Sequence, residues 1–149
     1  MKILKSLAIA SIASLMSIAA ANAGSFDAYS MVDQKSKRLV LVVSFAGDGS
    51  VTDAQLDLDA PVGYKLVSAK SKVDGTICVG MTGNKIRIVP PTGAEKALAK
   101  SSTDYCTFSF VAEKGLNVAS APVFKQSFIE CAALSGIKSC DANISDITQ

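Results

Sequence analysis

The chain has 149 residues, 15 of them basic and 13 acidic, and it contains no histidine. This length is sufficient for one domain with its own hydrophobic core. Without histidine, the chain cannot form a Ser-His-Asp or Cys-His catalytic group or a histidine-ligated metal site. It also has no glycine motif of the kind that binds phosphates or dinucleotides, so we predict no cofactor.

The first 23 residues have the pattern of a cleaved bacterial signal peptide. Lysines precede an apolar run from Leu7 to Ala21, and the run ends in the small-x-small sequence Ala21-Asn22-Ala23 that signal peptidase recognises. The alternative, a transmembrane anchor, requires about 20 predominantly apolar residues with no cleavage site at the end. We therefore expect cleavage between Ala23 and Gly24 and an exported product, either periplasmic or extracellular.

Removal of this leader changes the net charge of the chain. Lys2 and Lys5 leave with it, so the mature domain, residues 24–149, keeps 13 basic and 13 acidic residues. A neutral chain without a Lys/Arg cluster has no electrostatic footprint for nucleic acid and no polybasic patch for anionic lipid. No later apolar stretch has the length to span a bilayer. We expect neither nucleic-acid binding nor membrane insertion once the leader is removed.

Short segments with a hydrophobic period of two fill the mature chain and are separated by turn residues. Apolar residues on both faces of 38–46 predict a central strand, whereas the alternation in 51–59 predicts a strand with one face in water. The pattern predicts an all-β, antiparallel two-sheet β-sandwich of seven to nine short strands. The other predicted elements are strands at 64–72, 76–80, 85–89 and 104–113, one or two strands within 118–130, and a short helix at 94–100.

The four cysteines all lie in the mature part, at positions 78, 106, 131 and 140. An even number in an exported chain indicates two disulfides. Zinc binding is the alternative, but there is no CxxC pair and the destination is oxidising. Of the three possible pairings we favour Cys78 with Cys106 and Cys131 with Cys140, because the second pair flanks a short loop in which Gly136 can turn the chain.

Carboxylates are the remaining candidates for catalysis. Asp53, Asp57 and Asp59 could supply the acid and base of a glycoside hydrolase. They alternate with apolar residues, so we interpret them as the water-facing side of a strand and predict no catalytic or metal site.

Four strand motifs follow one another between Leu39 and Glu113. Their residues are Val51, Gln55, Leu56 and Leu58, then Tyr64, Leu66 and Val67, then Ile86, Arg87 and Ile88, and finally Phe108, Phe110 and Val111. In this order they resemble the cohesin-like branch of the carbohydrate-binding-module β-sandwiches. The resemblance implies a jelly-roll sandwich that binds a dockerin module or a polysaccharide through an open sheet face.

Three functions are consistent with these observations. The leading hypothesis is an exported, non-catalytic module that docks a protein or surface partner through a sheet face. The first alternative is a stand-alone carbohydrate-binding module, in which exposed aromatic rings would stack on sugars. The expected surface aromatics are Tyr64, as the candidate binding residue, and Phe26, Tyr29 and Tyr105. The second alternative is a hydrolase that uses paired carboxylates.

Overall fold

The computed structural model describes residues 22–92, 97–115 and 123–146. The predicted leader up to residue 21 lies outside this part. The described residues form ten strands: β1 Gly24–Asp33, β2 Arg38–Gly47, β3 Val51–Asp59, β4 Tyr64–Ser71, β5 Ile77–Met81, β6 Lys85–Val89, β7 Thr103–Ala112, β8 Lys125–Ala133, β9 Gly136–Lys138 and β10 Cys140–Asp146.

The strands are arranged in two five-stranded sheets that form a β-sandwich. Sheet A has the order β10-β1-β2-β7-β4, and sheet B has the order β5-β6-β3-β8-β9. The prediction of an all-β two-sheet sandwich is therefore confirmed. Among the described strand pairs, β1 and β10 alone run parallel, with Gly24 opposite Cys140. The ten strands exceed the predicted seven to nine because β9 has only three residues and because β1 and β10 were not recognised from their sequences.

Hydrophobic alternation places the strands as the sequence predicts. In β2, which lies between β1 and β7, Leu39 and Leu41 are fully buried and Val40 on the other face is half-buried. In β3, Leu56 and Leu58 are fully buried, and Asp57 between them faces the other way; Asp53 on that face is exposed, whereas Asp57 is itself buried against its neighbours. The two patterns distinguish the central strand of sheet A from the central strand of sheet B.

The core lies between the two sheets and contains most of the aromatic side chains. Phe26 and Phe45 meet edge to face with ring centroids 4.7 Å apart, and Phe110 meets Phe124 in the same way at 5.4 Å. Edge-to-face packing of this kind adds to the stabilisation from burial. Gly24 packs directly on Phe45, since a Cβ at position 24 would lie 2.3 Å from its ring.

Both disulfides connect one sheet to the other. Cys78 of β5 is bonded to Cys106 of β7, with Cα atoms 5.8 Å apart, and Cys131 of β8 is bonded to Cys140 of β10, with Cα atoms 6.1 Å apart. This is the pairing that the sequence favours. The two bonds hold the sheets together on opposite sides of the sandwich.

The helix expected at 94–100 is absent from the described part of that segment, residues 97–100; residues 94–96 lie outside the description. The amide of Leu98 donates to the carbonyl of Val51 at 2.7 Å, and the carbonyl of Ala99 accepts from the amide of Gly47 at 2.9 Å. Tertiary hydrogen bonds to strand ends therefore replace the bonds that a helix would make within itself.

The described residues also contain no helix with the length and apolarity to cross a bilayer.

Candidate functional site

The surface of sheet B that points away from the core, here called the outer face of sheet B, carries a mixed apolar and charged set of side chains. Its orientation follows from β3, in which Leu56 and Leu58 are buried and Asp57 lies between them. The strand register places Arg87 on one side of Asp57 and Phe128 on the other, and Val79 lies next to Arg87. These four side chains form one row across the middle of the sheet.

An ion pair occupies the centre of this row. Arg87 Nε donates to Asp57 Oδ1 and Arg87 Nη2 donates to Asp57 Oδ2, both at 2.9 Å. Gln55 Nε2 approaches the same two oxygens at 3.3 and 3.4 Å. The Asp57 side chain is only 8% exposed, whereas that of Arg87 is 40% exposed. The hydrogen bond to Asp57 raises the pKa of the Arg87 guanidinium above its usual value. The two charges of the pair therefore compensate each other through two parallel hydrogen bonds.

Exposed apolar side chains flank the ion pair. Ile77 and Val79 point outward because Cys78 and Gly80 point inward, toward the disulfide and Leu66 respectively. Val79 is 40% exposed and Phe128, at the other end of the row, is 42% exposed. Eight large apolar side chains are exposed among the described residues, and six of them lie in or beside β5, β8 and β9. These six are Ile77, Val79, Val123, Phe128, Leu134 and Ile137; the other two are Val62, in the loop between β3 and β4, and Val67 in sheet A.

A shallow pocket of about 180 Å³ adjoins the row on the outer face. Asp53 and Glu130 line it together with Gln55, Val89 and Thr92. Within the described part of the chain, Asp53 and Glu130 form no ion pair. This end of the face therefore carries uncompensated negative charge and could accept a basic side chain from a partner.

Most of the aromatic residues expected on the surface are buried. Tyr64 is 6% exposed, Tyr105 is 4% exposed and Phe26 is fully buried, whereas Tyr29 is half-buried. Burial raises the pKa of the Tyr64 hydroxyl. Tyr64 therefore does not present a ring face to solvent, because it begins β4 with its side chain in the core cluster.

The exposed aromatic residue is Phe128, which sequence reasoning missed. It lies in the segment 118–130, for which the sequence indicated strands without assigning their faces. The position of Cys131 could have assigned these faces. A cysteine in a disulfide between the two sheets must point inward, and side chains alternate along a strand, so Glu130 and Phe128 are placed on the outer face. The structure shows Cys131 fully buried and Phe128 directly opposite Asp57.

The three carboxylates considered for catalysis lie along the outer face of sheet B. Asp57 is paired with Arg87, and Asp59 is paired with Lys85. Asp53 is exposed at the pocket. Two of the three are therefore held as charge-compensated carboxylates. Among the residues that the structure describes, no group of three or more potential metal ligands occurs.

No protein-family model and no curated protein matches the chain. Solved structures match at the level of the fold. The seventh ScaB type I cohesin from Pseudobacteroides cellulosolvens superposes with a TM-score of 0.66 at 8% identity, covering 85% of this chain and 92% of that chain. A chain of a type I cohesin–dockerin complex from Clostridium thermocellum gives 0.63 at 7% identity, covering 87% and 96%.

A cohesin module of a family 33 glycoside hydrolase from Clostridium perfringens is also similar. Its TM-score is 0.60 at 13% identity, and the match covers 85% of this chain and 99% of that module. The fold is that of a cohesin-like β-sandwich, as the order of the strand motifs predicts.

Proposed function

We propose that the chain is an exported, non-catalytic interaction module that docks a protein partner through the outer face of sheet B. The observation that carries this proposal is the row Val79, Arg87, Asp57 and Phe128, in which exposed apolar side chains flank a compensated ion pair. Exposed aromatic residues and arginine, here Phe128 and Arg87, are enriched in protein interfaces.

The dimensions of the face support a protein partner. The five strands of sheet B hold 31 residues, which at about 3.3 Å along and 4.8 Å across the strands give a projected area of roughly 500 Å². This area fits an interface at the low end of the size range, below the roughly 800 Å² that each partner contributes to a standard interface. One of the similar structures comes from a cohesin–dockerin complex.

The distribution of aromatic residues supports carbohydrate binding less well than it supports docking of a protein. All nine aromatic side chains, six Phe and three Tyr, lie in the described part of the chain, and there is no Trp. Phe128 alone among them is exposed. A single exposed ring does not provide the row on which successive sugars stack.

Export is part of the proposal and can be tested first. When the full chain is expressed in a bacterium, we expect it in the periplasmic or secreted fraction with a mature mass that begins at Gly24, because residues 1–23 have the pattern of a cleaved leader. Cell fractionation and intact-mass spectrometry measure both points. Retention of the leader in a cytoplasmic product would contradict export.

Docking is tested with variants of the mature exported protein. We expect Phe128→Asp to reduce retention of partner proteins from the source organism's exported fraction by at least tenfold, because a carboxylate would replace an apolar anchor beside Asp57. Val67→Asp is the matched control, since Val67 is 45% exposed in sheet A. Quantitative mass spectrometry of the retained proteins gives the comparison.

If Phe128→Asp and the unmodified protein retain equal amounts of partner protein, the outer face of sheet B is excluded as the docking surface. A parallel depletion assay on cellulose, chitin and peptidoglycan covers the carbohydrate alternative. Retention on one of these polymers, with no protein retained, would replace the proposal with a carbohydrate-binding function.

A further inference from the structure

One edge of sheet B is open along most of β8. The short strand β9 pairs with Cys131–Ala133 only. Residues 125, 126 and 128–130 of β8 pair with β3 on one side, with Ser127 as a bulge, and no described strand pairs with this segment on the other. The backbone N–H and C=O groups along this edge are available to an added strand. The open segment has six residues, which is the length of an ordinary strand.

The side chains of the open segment alternate between the two faces. Lys125 lies opposite Asp59 and Glu130 lies opposite Gln55, so both charges point to the outer face. Gln126 and Ile129 lie opposite the buried Leu58 and Leu56 and point to the core side. A bulge at Ser127 keeps Phe128 on the outer face. The two ends of the segment thus carry opposite charges on the same face, and neither charge is in an ion pair within the described residues.

We propose that a second copy of this chain adds its own β8 antiparallel to this edge, around a two-fold axis between Ser127 and Phe128. In this register Lys125 lies opposite Glu130 of the second copy, and Glu130 lies opposite its Lys125. Gln126 faces Ile129 of the second copy, and Ser127 faces its Phe128. Directly opposite residues in an antiparallel pair share one face, and here Lys125 and Glu130 both lie on the outer face while Gln126 and Ile129 both lie on the core side.

The charges specify this register. A shift by one residue would place outer-face side chains opposite core-side ones, which a half-buried sheet does not tolerate. Lysines and bulges commonly protect strand edges from pairing. In this chain the complementary Glu130 lies five positions after Lys125 on the same edge, so two antiparallel copies satisfy each other's charges.

Exposed apolar residues at the ends of the segment fit the same arrangement. Ile137 of β9 lies beside Ala132 and is 70% exposed. Because β9 occupies the place beside Cys131–Ala133, the added strand would end with Lys125 of the second copy opposite Glu130. Val123 of the second copy, which is 62% exposed in the single chain, would then lie next to β9 and its exposed Ile137. The second copy covers apolar surface at both ends of the open edge.

Dimerisation is a property beyond the proposed docking function. The two copies of sheet B would form one continuous sheet with the outer faces on the same side. The two Phe128 rings would lie near the two-fold axis, and the two ion pairs of Arg87 with Asp57 would lie on either side of it. One dimer would therefore present two equivalent docking faces in one surface.

The test is the mass in solution of the mature protein, with its disulfides intact, over a concentration series by sedimentation velocity. We expect a dimer of twice the single-copy mass. Lys125→Glu and Glu130→Lys each place like charges opposite each other at two positions, and each should raise the dissociation constant at least tenfold. The combined Lys125→Glu, Glu130→Lys variant should restore it to near the unmodified value. Lys70→Glu, an exposed change in sheet A, is the matched control and should have no effect.

A single-copy mass throughout the series would overturn the proposal and would leave the two charges as edge protection. A dimer that is insensitive to the single reversals, or that is not restored by the combined variant, would place the interface elsewhere. Far-UV circular dichroism confirms that each variant is folded. No docking partner is present in the experiment, so its outcome is independent of whether the outer face binds another protein.

Discussion

Replacement of Cys78 and Cys106 by alanine together is expected to lower the free energy of unfolding by about 3 to 4 kcal/mol. The two residues are 28 positions apart, and the bond between them restricts the unfolded chain over that whole loop. Cys106 is fully buried, so loss of its sulfur also leaves a small cavity. Urea unfolding followed by far-UV circular dichroism, on matched mature proteins, measures the change.

The second disulfide provides the control. Cys131 and Cys140 are only 9 positions apart, so the same loop-entropy relation predicts about 2.5 kcal/mol for their joint replacement by alanine. Losses of this size are large beside a typical total of about 5 to 15 kcal/mol. A smaller effect for the Cys78–Cys106 bond than for the Cys131–Cys140 bond would contradict the loop-entropy explanation.

Phe45→Ala is expected to destabilise the domain by about 3 to 5 kcal/mol, the usual cost of truncating a buried aromatic residue. Phe45 is fully buried, packs edge to face on Phe26 and fills the space beside Gly24. Neither neighbour can move easily into the space left by the ring, because Phe26 is also fully buried and Gly24 has no side chain. The measurement is again the free energy of unfolding in urea.

Phe128→Ala is the matched control for Phe45→Ala, because it removes the same side chain from the outer face of sheet B. Phe128 is 42% exposed, so we expect a loss of about 1 kcal/mol or less. Similar costs at the two positions would show that Phe128 is part of the core, and the docking proposal would then lose its central anchor. A much larger loss of unfolding free energy for Phe45→Ala than for Phe128→Ala would show that Phe45 stabilises the fold and that Phe128 is free to act in recognition.

Regular alternation of large apolar residues explains which parts of the fold could be predicted. The patterns in β2 and β3 identified a central strand and a strand with one face in water. Strand β1 was missed although its burial alternates through its first nine residues. Its inward positions include Gly24, Ala28 and Ser30, and such small residues give no hydrophobic signal. Strand β10 was missed for a related reason, since it lies at a sheet edge and is largely polar.

The candidate site was less predictable because it depends on register. Arg87 and Asp57 are 30 positions apart, and only the pairing of β3 with β6 makes them neighbours. Phe128 reaches them through the pairing of β3 with β8. Periodicity gives the face of a residue within its own strand, but it does not give the neighbours of that strand. The expectation that Tyr64 is a surface aromatic was wrong for the same reason. The sequence shows that the residue is aromatic, but it does not show that its side chain is buried in the core.

The parallel pairing of β1 with β10 has a consequence for the order of folding. Gly24 and Cys140 are adjacent in sheet A, although almost the whole described chain lies between them. Contacts this distant in sequence form slowly because they close a very long loop. Sheet A therefore cannot be completed until the residues of β10 have emerged and returned to β1. Because Cys140 begins that strand and is bonded to Cys131, oxidation of this pair would fix β10 beside β8 while it adds to β1, and would couple disulfide formation to the last step of assembly.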